Sequence, residues 1–447
     1  MKDSSRFRFI GHALDGIGGF RPTVTSDSYG KPSSVTGQTY LIPYPRESSE
    51  KFARRNQLAF YASPVARITS RFTSYIAMKP VIRDVRNQLL KIIEDDCDGM
   101  GNSIDVFFQS FMIDAKARGS HLLLIDMPNV EDMPESQADQ INQRKVPIWT
   151  PIKPDIVTDW DLLDNGTFSY VEFSGTYRNA EGKQKACTWR YDEMMWQCIE
   201  GDKVISEGEH NLGVCPIIAF TESGPFPNFG PFASISDLAK RLFNLESELD
   251  EILRAQTFSI LTLQIPPDTD TAGFADLAKA TGETISTENL MLYKGTMPGF
   301  VAPPDGPAQV YRDRIKDIKD DINEIGLDVA TISQQESGVA MQFRFQAINA
   351  ELSKFAARME DFERRAWELT TRWLGLDEVV EIQWPRDFNI ADPEQEIGIL
   401  SDMTAANMPP EVIIEQKRRV IVTQFSGTDP DQRDMLLESL KADQSAL

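Results

Sequence analysis

Apolar positions along this chain gather into a few periodic runs, and the longest dominates the pattern. Phe345, Ile348, Leu352, Phe355, Met359, Phe362, Ala366, Leu369 and Trp373 follow one another by alternating steps of three and four. That spacing holds one apolar stripe on one face of a helix. No Pro or Gly interrupts it between Val339 and Leu374, and Gly375 stands where a helix end favours a left-handed residue. The expected helix, 342–374, is a rod of roughly 50 Å at about 1.5 Å per residue. A coiled coil has the same repeat, but Phe, Met and Trp are bulkier than its seam prefers. The stripe reads better as packing within its own protein or against neighbours.

Two shorter stripes precede it. Leu238, Leu242, Leu245, Leu249 and Ile252 predict a helix over 235–254, and Val310, Ile315, Ile318, Ile322, Ile325 and Leu327 predict another over 308–328. The second bears Asp313, Asp317, Asp320, Asp321, Glu324 and Asp328 against Arg312, Arg314, Lys316 and Lys319. Between them, 257–305 predicts a strand, a short helix over 272–281 and a strand at Leu290–Tyr293, closed by prolines. Two amphipathic helices therefore flank a compact αβ insert.

Elsewhere the pattern is mixed. Residues 1–50, rich in Ser, Gly, Thr and Pro, read as an N-terminal arm rather than core. From Glu47 the pattern turns helical and continues from Lys51 toward Ile76, broken or kinked at Pro64. Arg54, Arg55, Arg67 and Arg71 make this stretch the most basic, either a solvated face or a contact for an acidic partner. Residues 84–118 predict two helices around an acidic turn. An EF-hand starting at Asp96 fails because Met100 and Phe107 occupy ligand positions. His121–Asp126 reads as a buried strand, 129–146 as a surface loop, and Trp160 as part of a turn. Strands at 168–177, 187–191, 195–199 and 203–206 predict an antiparallel meander, followed by a strand at 214–220 and a Pro/Gly-rich hinge. After Gly375 come a strand at 379–384 and helices near 393–407, 410–419 and 430–442. The fold class this predicts is α+β, multidomain.

Composition narrows the function. The chain has 447 residues, 41% of them hydrophobic and 26% charged, with a net charge of −22. An acidic chain is poorly suited to gripping nucleic acid by neutralising phosphates. Cys97, Cys187, Cys198 and Cys215 form no C-x-x-C pair and read as buried reduced thiols. Polar and charged residues stand at the start where a signal peptide needs an apolar run, and no window suits a membrane span, so a soluble protein made in a reducing cytosol is expected.

Catalytic motifs are missing. No phosphate loop, nucleophile elbow or H-E-x-x-H occurs, and Gly16-Ile17-Gly18-Gly19 lacks a dinucleotide-binding context. His12, His121 and His210 have no spaced partners. Asp159, Asp161 and Asp164 read as turn formers, although an enzyme with dispersed carboxylates there remains an alternative, as does a coiled-coil structural protein without a channel. No enzyme, metal or cofactor is expected.

Glu336-Ser337-Gly338-Val339-Ala340-Met341-Gln342, leading into the long helix, resembles the tunnel-loop region of portal proteins of tailed bacteriophages, the head-to-tail connector family. The order of elements matches over most of the chain. The Arg54-Arg55 helix, Pro154–Trp160 and Gly213–Phe220 also look like wing features. The resemblance implies an arm (1–50), an αβ wing (51–232), a stem helix (233–256), an αβ clip (257–306), a second stem helix (307–331), a tunnel loop (332–341), a long wing helix (342–374) and a helical crown (375–447). It further implies a homo-oligomeric ring, usually of twelve subunits, at one capsid vertex of a virion assembled in the host cytoplasm. Double-stranded DNA would pass through its channel, pumped by the ATPase of the terminase large subunit. The clip would meet the terminase and later the head–tail adaptor, and the wing the major capsid protein. The tunnel loop would hold Ser333, Gln334, Gln335, Glu336, Ser337, Gly338, Val339 and Ala340. The acidic residues of 308–328 would line the channel and repel phosphates. The loop departs from a phosphate-gripping pattern, with no Lys or Arg before Arg344.

Overall fold

In the computed structural model the described residues are 4–128, 144–257, 260–264, 290–293, 300–301, 306–326, 338–388, 393–406, 408–424 and 435. The chain mixes helix and sheet, and its elements are taken here in chain order.

The first fifty residues hold more structure than an arm. Helix α1 (Ser5–Asp15) buries Phe7, Ile10, Ala13 and Leu14, and Arg6 pairs with Asp237 at 2.6 Å. Phe20 stacks on Tyr61 with centroids 3.9 Å apart. The expectation of an arm is therefore corrected: a stripe spaced by three and four residues places this segment in the core. The hairpin β1 (Thr23–Ser26) and β2 (Pro32–Thr36) follows.

Helix α2 (Ser49–Leu58) is capped by the Ser48 side chain, which accepts from the Lys51 amide. Pro64 is the first residue of α3 (Pro64–Ala77), where its missing N–H costs nothing. Of the arginines read as a basic face, Arg54, Arg67 and Arg71 are exposed. Arg55 is not: its guanidinium meets Glu47 at 2.9 Å, with both side chains almost fully buried, and lies 3.9 Å from the Tyr44 ring centroid.

Strand β3 (Ile82–Asp84), α4 (Gln88–Asp95) and α5 (Ile104–Arg118) lead to β4 (Ser120–Asp126), which pairs with β5 (Ile148–Ile152). Two apolar layers meet on β4: Leu123 and Ile125 join the main core, while Leu122 and Leu124 join a second cluster. Burial on both faces explains why the sequence runs apolar without alternation there. A five-stranded antiparallel sheet follows: β6 (Val157–Leu162), β7 (Phe168–Arg178), β8 (Gln184–Tyr191), β9 (Met195–Glu200) and β10 (Lys203–Glu209), in spatial order 10-9-8-7-6. Trp160 thus lies in a strand, not a turn. Strand β11 (Ile217–Thr221) pairs with β4 and forms the edge of the order β11-β4-β5.

Helix α6 (Ala233–Thr257) opens the helix–insert–helix unit. Within the insert β12 (Ile260–Gln264) pairs parallel with β13 (Leu290–Tyr293) and antiparallel with β14 (Phe300–Val301). The short helix expected over 272–281 lies outside the described residues. Helix α7 (Gly306–Ile325) buries Ala308, Ile315, Ile318 and Ile322 and packs back along α6.

The 37-residue helix α8 (Gly338–Leu374) is the spine of the main core. Ile348, Leu352, Phe355, Met359, Phe362, Ala366 and Leu369 are buried, and Trp373 is half-buried. The Phe345 side chain lies outside the described residues. The stripe meets no single partner helix: Phe355 lies against Phe72 of α3 and Phe220 of β11, at 5.5 and 5.3 Å between centroids. Phe362 stacks on Phe111 of α5 at 5.0 Å, and Trp373 Nε1 donates to the Ile125 carbonyl of β4 at 2.8 Å. The seam is the protein's own core, so the coiled-coil reading of this stripe fails.

Strand β15 (Glu381–Gln383) pairs with β3, and α9 (Pro393–Ala405) packs on α10 (Pro410–Gln424). The helix expected over 430–442 falls, but for position 435, outside the described residues.

Candidate functional site

The acidic residues assigned to the second amphipathic helix are brought together on α7. At 100° per residue, Asp313, Asp317, Asp320 and Glu324 fall on one line, directly opposite the ridge of Ile315, Ile318 and Ile322. All four, with Asp321 beside them, are exposed. Arg312, Lys316 and Lys319 stand on the flanks between the two faces. Lys319 turns to α6, where its ammonium lies 3.0 Å from Glu246. Tyr311 also reaches α6: its hydrogen bond to Glu248 is the main cause raising the phenol's pKa, followed by burial. These cross-helix contacts fix which face of α7 points away from α6. Within the acidic line, Asp313 accepts from Gln309 Nε2 at 2.8 Å and Asp317 lies 3.6 Å from Arg314. Like charges three and four residues apart cost a helix a few tenths of a kcal/mol per pair, so stability does not favour this line.

The loop residues are only partly placed. Ser333, Gln334, Gln335, Glu336 and Ser337, with Asp328, lie outside the described residues. Gly338, Val339 and Ala340 belong to the first turn of α8, so the helix begins four residues before the expected position 342. A glycine tolerated at a helix start is read from sequence as a loop residue, and this accounts for the shift.

A buried charge cluster escaped the sequence reading. Lys116 of α5 pairs with Glu222 at 2.5 Å, both nearly inaccessible to solvent. The ammonium lies 4.3 Å from the Phe72 ring centroid, 4.4 Å from Phe232 and 5.3 Å from Phe355. Next to it Gly119 takes φ 79°, and a Cβ there would stand 1.7 Å from the Gly230 amide nitrogen. The hinge of 224–231 is thus pressed against the α5–β4 turn. A second cluster joins Arg83 to Glu363 at 2.5 Å, and Glu363 also accepts from the indoles of Trp367 and Trp384. The ion-pair partners lie 106 and 280 residues apart in the chain, so no local spacing announces the pairs.

The remaining candidates do not converge. His12 bonds the Tyr40 hydroxyl at 2.8 Å, and His210 bonds the Asp192 carbonyl at 3.1 Å. His121 is buried, which holds its imidazole well below the usual range. Asp159 and Asp161 lie in β6, and Asp159 accepts from its neighbour's amide. All four cysteines are buried and free, as expected; burial pushes the Cys215 thiol up to about 12. Among the described residues no cluster of His, Cys, Asp and Glu fits a metal ion, and no helix is long and apolar enough to cross a membrane.

No family model matches the sequence, and no curated protein matches it. Solved structures give distant likenesses. A chain of the virion of the native gene transfer agent particle is 13% identical, covering 90% of this chain and 95% of its own, at a TM-score of 0.39. A chain from the neck of the empty particle is 10% identical, covering 78% and 90%, at 0.42. One from the neck of the native particle, determined with C12 symmetry, is 11% identical, covering 84% and 89%, at 0.36. Likenesses this remote say nothing of what this chain does.

Proposed function

We propose that this chain is a portal-type subunit, forming a ring at one capsid vertex of a phage-like particle through which double-stranded DNA is packaged and ejected. The observation that carries the reading is the acidic line on α7, aimed away from α6 within a helix–insert–helix unit that leads directly to α8. In a ring, that line would be repeated around a central channel. A duplex carries one phosphate charge per ~1.7 Å of its axis, so an acidic wall gives short-lived contacts and lets DNA move both ways. Residues 332–337, between the stem and α8, would form the constriction. The insert of β12–β14 would act as the clip that meets the terminase large subunit and then the adaptor. The layers around β4 and α8 would form the wing that faces the major capsid protein. On this reading the chain hydrolyses nothing and needs no cofactor, and the motor's ATPase belongs to the terminase.

Negative-stain images and native mass of the purified protein test the reading. A closed ring with a central hole is expected, of roughly twelve subunits by the family resemblance. Monomers or dimers alone at all concentrations would overturn it.

A further inference from the structure

A groove of about 770 Å³ runs between α8 and β11, bordered by the β6–β7 turn and by Gly224–Phe226. One wall is a row of charge on α8: Arg358, Asp361, Arg365, Glu368 and Arg372, three and four residues apart, with Arg364 beside them. All of these are exposed. Arg364 is already paired with Asp361 at 2.6 Å, yet in a chain of net charge −22 four arginines against two carboxylates leave this groove net positive.

The floor is an edge strand. The Ile125 amide donates to the Pro216 carbonyl at 3.0 Å, and the Glu222 amide to the Gly119 carbonyl at 2.9 Å. With the register Ile218 opposite Leu123 and Phe220 opposite His121, even-numbered residues of β11 turn their backbone groups to β4. Ile217, Ala219 and Thr221 then turn theirs outward, into the groove. Arg365 Nη2 donates to the Ala219 carbonyl at 3.1 Å from that side. An arginine laid on an edge strand also shields it from indiscriminate pairing.

We infer that this groove receives an extended acidic segment of another polypeptide as a strand added to β11. The incoming amide takes over the Ala219 carbonyl, and the displaced Arg365 guanidinium turns to a carboxylate of the segment. Arg358 to Arg372 spans about 21 Å along the helix, and about six extended residues cover the same length. Main-chain pairing supplies affinity, and the arginines select for acidic side chains. Nucleic acid fits less well, because it has no backbone amides and carbonyls to pair with the outward groups of Ile217, Ala219 and Thr221; Asp361 and Glu368 would repel phosphates and carboxylates alike. The inference rests on the geometry of the single chain and not on the portal reading.

The test uses the full chain and a fluorescein-labelled hexapeptide of alternating Glu and Val. Saturable binding is expected, weakened about tenfold or more in the Arg358→Glu/Arg372→Glu double variant. Amide exchange at Ala219 and Thr221 of the wild type should slow when the peptide is added. The same peptide N-methylated at every amide, which cannot donate to the edge in either register, should not bind. Both substituted arginines are exposed, so an unchanged melting temperature certifies the variant's fold. Equal affinity in the double variant, unaltered exchange at Ala219, or equal binding of the N-methylated peptide would overturn the proposal. So would tighter binding of an oligothymidylate of the same length, or full protection of Ala219 by a second copy before any peptide is added.

Discussion

The Lys116–Glu222 pair gives the most discriminating test of the core. Its ions are 2.5 Å apart, and the side chains are 2% and 8% exposed. Three phenylalanine rings, from α3, α8 and the residue just before α6, wall in the ammonium. Lys116→Met leaves Glu222 buried with no counter-ion, and Glu222→Gln leaves the ammonium with only the ring faces. Each single substitution should cost about 3–5 kcal/mol, the usual penalty for orphaning a buried charge. The double variant removes both charges and keeps the volume; Met is flexible enough to refill the space between the rings. It should lie within about 1.5 kcal/mol of wild type or be more stable. The coupling energy is then several kcal/mol, far above the few tenths expected of independent sites. Urea unfolding followed by tryptophan fluorescence, with slopes compared to confirm that only stability changes, gives all four values. Additive losses, or single variants within about 1 kcal/mol of wild type, would refute the view that the pair is desolvated and mutually dependent.

Other predictions follow from the same geometry. Gly338→Pro, at the first residue of α8, should leave the urea midpoint nearly unchanged, whereas Ala347→Pro on the exposed face should cost about 3 kcal/mol; equal effects would move the helix start. His121 is buried, and burial, followed by the charges of Arg118 and Lys153, holds its pKa well below 6.5. The unfolded chain therefore takes up a proton that the folded chain refuses as pH falls through about 6.5, and stability drops by up to about 1.4 kcal/mol per pH unit. His121→Leu should flatten that part of the urea-midpoint profile; an unchanged slope between about pH 7 and 5 would sink the assignment. Replacing Asp313, Asp317, Asp320 and Glu324 together by Lys should turn a protein that does not retain duplex DNA at physiological salt into one that does, with salt-dependent affinity. Retention by the wild type would remove the repulsive-wall reading.

Most of the helices and the antiparallel meander were legible because periods of 3.6 and 2 are local properties of the chain. The stripe of α8 and the acidic line of α7 need no partner to be read. Residues whose role depends on distant neighbours were not. Phe7, Ile10 and Leu14 are interspersed with Arg8, Gly11 and His12, so α1 reads as a polar lead-in, and only its packing against α5 and α6 makes it core. Arg55 carries a charge that reads as solvated, yet Glu47 and Tyr44 enclose it.

The amino-acid pattern by itself determined which faces are apolar, where the chain breaks, and that two amphipathic helices flank an insert before a long helix. Only tertiary structure decided what those faces meet. It placed the α8 stripe against α3, α5, β4 and β11 rather than a twin helix. It paired Lys116 with Glu222, and it left β11 as an edge beneath a row of arginines. The physical reason is that periodicity is written in dihedral geometry over a few residues. Burial, ion pairing and edge exposure are set by which distant surfaces exclude water from one another.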